Sequence, residues 1–164
     1  MTNRMMRRKN QALSLDATRA VFQNGSDGVL ALHGDDGYPY AVPLNFVLIE
    51  NSLYFHSAAE GHKVDALKRD PKASFCVVEK NTVVPKLLAT AYKSAVAFGT
   101  IRILSEEAEK RTALKALAEK YSSAFPAEAE KEIAHYLGQV FVFALDIETM
   151  TGKEAKSDVM NAAL

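Results

Sequence analysis

The sequence holds a single cysteine, Cys76, and no tryptophan in 164 residues. A lone cysteine rules out an internal disulfide framework and leaves no thiolate cluster for zinc or an iron–sulfur centre, which suits a reducing cytoplasm, the expected location. No apolar run approaches the roughly 18 residues a membrane-spanning helix needs. None follows the basic start (Arg4, Arg7, Arg8, Lys9) to make a secretory signal, so the chain reads as soluble. Neither sign of charge prevails, since 20 Lys and Arg balance 20 Asp and Glu. No global field then draws the chain onto nucleic acid or an anionic bilayer, and any anion site must be local. Also missing are GxGxxG, a Walker loop, GxSxG and His-Glu-x-x-His. The four histidines (His33, His56, His62, His135) include no helical pair, so no metal site is expected. What is present, 48% hydrophobic and 24% charged residues, is the composition of an ordinary globular protein. Residues 1–164 read as one domain, with no repeat or linker to divide them.

Hydropathy patterning places the elements. Ser14 or Asp16 can cap a short helix that Asn24-Gly25 stops. From Gly28 the pattern becomes strand-like: GVLALHG, a turn at Asp35-Asp36-Gly37, YPYAVPLNFVLIE, a turn at Asn51, then SLYFHS. These strands read as an antiparallel meander in which Pro39 and Pro43 make the second an edge or a bulged strand. A short helix starts near Gly61 or His62, with Val64 and Leu67 on one face and Pro71 past its end. ASFCVVE returns to strand, residues 81 to 93 read as a loop, and Ser94 to Leu104 as a strong strand. SEEAEKRTALKALAEKY has helical spacing with acids in its first turn. A second helix covers about Glu128 to Leu137. The final QVFVFALDI is apolar at successive positions, as in a strand buried on both faces, inside a barrel or at a subunit contact. The sum is a mainly β protein, a small barrel with peripheral helices.

Most chemically suggestive residues have plain structural roles. Asp35 and Asp36 before Gly37 are turn chemistry. Cys76 within Ser-Phe-Cys-Val-Val reads as a buried, inert thiol. The segment His56-Ser57-Ala58-Ala59-Glu60-Gly61-His62-Lys63 is different, because cations in the first turn of a helix oppose its macrodipole. A bound phosphate would offset them, held by free helix-start N–H groups, a lysine, an imidazole and the Ser57 hydroxyl. A solvated turn would explain the same residues.

Tyr40-Ala41-Val42-Pro43-Leu44-Asn45-Phe46, then Leu53-Tyr54-Phe55-His56-Ser57-Ala58, then Gly61-His62-Lys63-Val64-Asp65-Ala66-Leu67, in that order, resembles the FMN-binding split-barrel superfamily typified by pyridoxamine 5′-phosphate oxidase. The start Met6-Arg7-Arg8-Lys9, the run Tyr92-Lys93-Ser94-Ala95-Val96 through Gly99-Thr100-Ile101-Arg102, and Thr151-Gly152-Lys153 are similar to its nitroimidazole-resistance (Nim-type) branch. The resemblance implies a six-stranded antiparallel split β-barrel that forms a homodimer, with FMN at the subunit interface. It implies that Val42, Pro43 and Asn45 lie along the isoalloxazine and ribityl chain, and that Ser57, His62 and Lys63 take the phosphate. His56 would act near the ring, and Ser94 would reach FMN from the other subunit. Tyr40 and Asn45 replace the oxidase's arginine and lysine, and Thr151 to Leu164 lacks its substrate-binding arginine and histidine.

The expected function is therefore an FMN-dependent oxidoreductase of nitroimidazole-like or other small electron-poor substrates, with His56 as the catalytic side chain. The alternatives are a flavin-binding or flavin-sensing module without turnover, or a haem-binding split barrel. No nucleic-acid or membrane partner is expected.

Overall fold

The computed structural model describes residues 6–163, so Arg4 of the basic start and the terminal Leu164 lie outside the described residues. Helix α1 (Leu15–Asn24) begins where Ser14 Oγ accepts the Ala17 N–H at 3.2 Å. This resolves the Ser14 or Asp16 alternative in favour of Ser14. There follow β1 (Gly28–His33), β2 (Pro39–Leu44), β3 (Val47–Ile49), β4 (Ser52–Ser57), α2 (His62–Arg69), β5 (Lys72–Val84) and β6 (Ala89–Ile103). The chain closes with α3 (Glu107–Ser122), α4 (Pro126–Tyr136), β7 (Phe141–Glu154) and the short α5 (Ser157–Asn161). Among the described residues no helix is long and apolar enough to cross a membrane.

All seven strands form one sheet in the order β2-β1-β5-β6-β7-β4-β3, and every pairing is antiparallel. The count is seven rather than the expected six because YPYAVPLNFVLIE breaks at Asn45-Phe46 into β2 and β3, which do not pair with each other. They occupy the two opposite edges of the sheet. A flat sheet of this order would hold its edge strands roughly 29 Å apart at the usual inter-strand spacing. Two intervening residues let Leu44 and Val47 stand at most about 11 Å apart. The sheet must therefore curl until its edges meet, which makes a barrel whose seam is crossed by the chain and not by a ladder. As an edge, β2 also accommodates Pro39 and Pro43, which face His33 and Val29 on β1.

Residues 81–93 are the second correction. They are the outer part of a long β5–β6 hairpin, paired from Asn81↔Tyr92 to Val84↔Ala89 and turned by Pro85–Leu87 and Leu88. Within the barrel, Phe46, Phe55, Phe75 and Phe143 are fully buried. Phe75 meets Phe46 and Phe55 edge-on, at centroid separations of 4.8 and 5.0 Å, and Phe55 stacks on Phe143 at 5.0 Å.

The expected two-sided burial of the last strand holds, and its second face is filled within the chain. Phe143 and Leu145 point into the barrel, while Val142 and Ala144 pack with Leu104, Ala113 and Leu114 beneath α3. That apolar face is not free for a partner subunit.

Helix α3 also holds the seam. Phe46 is buried where the chain leaves one edge for the other, so its backbone needs partners that no strand supplies. Its N–H donates to Tyr121 Oη at 3.0 Å, and its carbonyl accepts from Lys120 Nζ at 3.1 Å. The Lys120 ammonium also sits 4.0 Å from the centre of the Phe46 ring. Burial lowers the Lys120 pKa to about 8.

Candidate functional site

Strand β4 presents Leu53 and Phe55 to the barrel core and Tyr54 and His56 to the outside, as alternation requires. After Ser57 the chain turns into α2 through Gly61, whose φ of 109° strains any L side chain. The first N–H groups of a helix have no intrahelical partner, and among the described residues no side chain caps those of α2. Val64 and Leu67 anchor the helix to the barrel.

Lys63 lies in that first turn, partly buried, and among the described residues it forms no ion pair. Burial lowers its pKa. A partly desolvated ammonium with no counter-ion among the described residues, in the same helical turn as open N–H groups, is a donor set that a phosphate monoester can satisfy. Ser57 Oγ donates locally to the Ala58 carbonyl at 2.9 Å. His56 feels this cluster, its pKa being lowered first by burial and then by the Lys63 charge. Its imidazole is neutral at neutral pH.

His62 is differently engaged. Its ring stacks on Tyr40 of β2, 4.1 Å between centroids at 21°, and Nε2 lies 3.4 Å from Asp35 Oδ2. Asp35 also accepts from Arg69 Nη1 at 2.8 Å, so the β1–β2 turn is fastened to both ends of α2. On β2, Pro43 is exposed and Val42 partly buried against the core. The strand pairs with β1 alone, so its outer edge keeps backbone groups open to a ligand. Asn45, beyond the strand end, donates through Nδ2 to the Ser26 carbonyl at 3.0 Å.

The fold thus gathers His56, Ser57 and Lys63, and links β2 to α2 through Tyr40 and His62. Ser94 is elsewhere. It lies on β6, three strands from β2 and roughly 14 Å away at ordinary strand spacing, opposite Val78 and Lys153. Cys76 is half-buried on the outer face of β5 rather than enclosed, and burial raises its pKa, which keeps it a thiol. Among the described residues no three His, Cys, Asp or Glu side chains cluster to hold a metal.

A cavity of about 370 Å³ adjoins this site, with Asn45 and His56 on the sheet side and the α3–α4 pair on the other. Its walls on the helix side include Tyr121, Phe125, Glu128 and Glu132, none of them read from the sequence as a site residue. Glu128 and Glu132, one turn apart with like charge, were the available signal. The role of Asp35 at α2 had none beyond its turn.

The fold recurs in solved structures. A protein assigned to 5-nitroimidazole antibiotic resistance in Bacteroides thetaiotaomicron has a TM-score of 0.72 at 22% identity, over 87% of this chain and 85% of that one. The FAD and haem binding protein of Mycobacterium smegmatis has a TM-score of 0.71 at 23% identity, over 94% and 80%. The flavocytochrome Anf3 of Azotobacter vinelandii has a TM-score of 0.78 at 17% identity, over 93% and 73%. No curated protein matches in sequence. The family model described as Pyridoxamine 5'-phosphate oxidase matches residues 14–154, and with its split barrel the chain belongs to that family.

Proposed function

We propose that the protein is an FMN-dependent oxidoreductase acting on small electron-poor substrates of the nitroimidazole kind. The observation that carries this reading is Lys63, a partly buried cation with no acidic partner among the described residues, at the uncapped start of α2. It suits the phosphate of FMN better than a flavin lacking one. Support also comes from the similarity to a nitroimidazole-resistance protein and to flavin-binding proteins.

Bound flavin would supply the electron transfer, while the chain binds and orients it. Lys63, Ser57 and the first N–H groups of α2 hold the phosphate, with His62 set beside them by Tyr40 and Asp35. Val42, Pro43 and Asn45 line the ring and ribityl chain. His56 offers an N–H donor to a substrate oxygen, and its neutrality keeps it from competing with Lys63 for the phosphate.

In the test, wild-type protein is purified with flavin absorption bands, or takes them up with added FMN. A Soret band instead would indicate haem. Lys63→Ala weakens FMN tenfold or more while leaving riboflavin nearly unchanged, since a charge-assisted contact contributes on the order of 1.5–3 kcal/mol. Equal weakening of both ligands would remove Lys63 from the phosphate site. The contact needs both the ammonium and the phosphate dianion, so FMN affinity is greatest between the second phosphate pKa, about 6, and the lowered Lys63 pKa, and falls as pH rises through the latter.

The same reading makes the chain a homodimer in which Ser94 reaches the partner's flavin. Ser94 shares the outer sheet face with Val29, Val78 and Phe98, which are 41%, 56% and 36% exposed. This face, rather than Val140 to Leu145, is the apolar surface open to a second copy. Light scattering is expected to report a dimer, and Val78→Asp a monomer with weakened FMN binding. A wild-type monomer that holds FMN would overturn the dimer.

A further inference from the structure

We infer that the cavity between β4 and the α3–α4 pair is the substrate site of the flavin centre, and that it accepts an uncharged or cationic aromatic ring and rejects an anionic one. The inference rests on the flavin reading above and deepens it. The cavity meets the proposed cofactor site at Asn45 and His56, the two residues common to both. At about 370 Å³ it falls in the lower part of the range for small-molecule sites, about 300–1,000 Å³. Leu114, Leu117 and Ile133 give it apolar walls. Phe125, 60% exposed at the bend between the helices, lines it with Tyr121. Such walls suit a flat ring.

Charge decides the class. Glu128 and Glu132 both line the cavity, and no Lys or Arg does among the described residues. Neither carboxylate has an ion-pair partner among them, whereas Glu130 on the same helix is held by Arg111 Nη1 at 2.9 Å and by Lys115 Nζ at 3.1 Å. Lys120, on the neighbouring helix, carries its ammonium away to the Phe46 carbonyl and ring. Two like charges one turn apart oppose each other on a helix, and among the described residues no ion pair relieves them, the helix dipole favouring only Glu128 in its first-turn position. A cationic ring in the cavity would relieve them, and an anion would add to the repulsion. A phosphorylated substrate therefore does not suit this cavity.

The test uses FMN-loaded protein and three probes that share a nitrophenyl ring: 4-nitrobenzylamine as its ammonium, 4-nitrobenzyl alcohol and 4-nitrobenzoate. Calorimetry gives dissociation constants without requiring turnover. The ammonium and the alcohol bind, and the benzoate binds about tenfold or more weakly than the ammonium. In the Glu128→Gln/Glu132→Gln protein that preference shrinks to within about threefold, with flavin content unchanged. Ala118→Trp, which fills the cavity, removes probe binding and leaves FMN in place. Benzoate binding as tight as the ammonium, or a preference that survives both glutamine changes, would overturn the inference. So would loss of FMN from Ala118→Trp, because the cavity would then hold the flavin itself. Failure of all three probes on FMN-loaded protein sinks this inference alone, whereas a wild type that takes up no FMN sinks the flavin reading with it.

Discussion

Replacing His56 with leucine is expected to leave FMN bound and to lower reductase turnover roughly 10²-fold, the usual cost of removing one aimed donor at a reacting oxygen. Replacing it with glutamine should retain turnover to within about tenfold, because an amide N–H can stand in for a neutral imidazole donor but not for a proton-donating imidazolium. The distinction follows from the surroundings of His56. Burial, and then the charge of Lys63, lower its pKa, so the ring is neutral at neutral pH. Any change of turnover with His56 protonation should accordingly have its midpoint below the 6.5 of an unperturbed imidazole, the direction in which burial and Lys63 move it. Steady-state rates normalised to flavin content provide the measurement. Equal loss in both variants would indicate proton donation, unchanged rates would take His56 out of the mechanism, and lost flavin would make it a cofactor ligand.

Phe46→Ala is expected to destabilise the fold by about 3–5 kcal/mol, the range for truncating a buried phenylalanine. The ring is fully buried, meets Phe75 at 4.8 Å and Phe22 at 6.4 Å, and carries the Lys120 ammonium on its face. Truncation would open a void at the seam and remove the apolar surface beneath a charge that burial already disfavours. Urea unfolding of the two proteins measures the difference. A loss below about 1 kcal/mol would mean that the backbone bonds from Tyr121 and Lys120 hold the crossover without help from packing.

The same residue explains where the sequence could not be read. Val42, Leu44, Phe46 and Leu48 all pack in or against one core, so the two-residue period of a strand continues unbroken across the point where the chain changes edges. Asn45 is the one turn-forming residue at the crossover, and a lone Asn inside an unbroken alternation does not stop the strand reading, so one strand is read where there are two. The β5–β6 hairpin was hidden for a related reason. Its register shifts between Val78 and Lys80, and its tip is Pro85–Leu87 followed by Leu88 in the left-handed region, without the Gly or Asn that signals a tight hairpin. Helices α1 to α4 were legible because caps, first-turn charge and apolar spacing are local. The start of α2 stood out in the sequence because His62 and Lys63 oppose the helix macrodipole there, a placement that a bound anion or a solvated turn explains equally. The cavity was not, because Asn45 and His56 meet Tyr121 and Phe125 only after the barrel has curled beneath α3.

The strand order also dictates when the barrel can be finished. Ser52 on β4 faces Asp146 on β7, 94 residues later, so the short β3–β4 hairpin has no neighbour on its inner side until almost the whole chain has been made. Leu53 and Phe55, fully buried in the finished protein, remain uncovered on that side until β7 arrives. Such long-range pairing carries a large loop-closure entropy and slows folding. The proposed cofactor residues on β4 and α2 thus precede the last strand of their own scaffold by some 80 residues of synthesis, and the site exists only once the C-terminal strand has closed it.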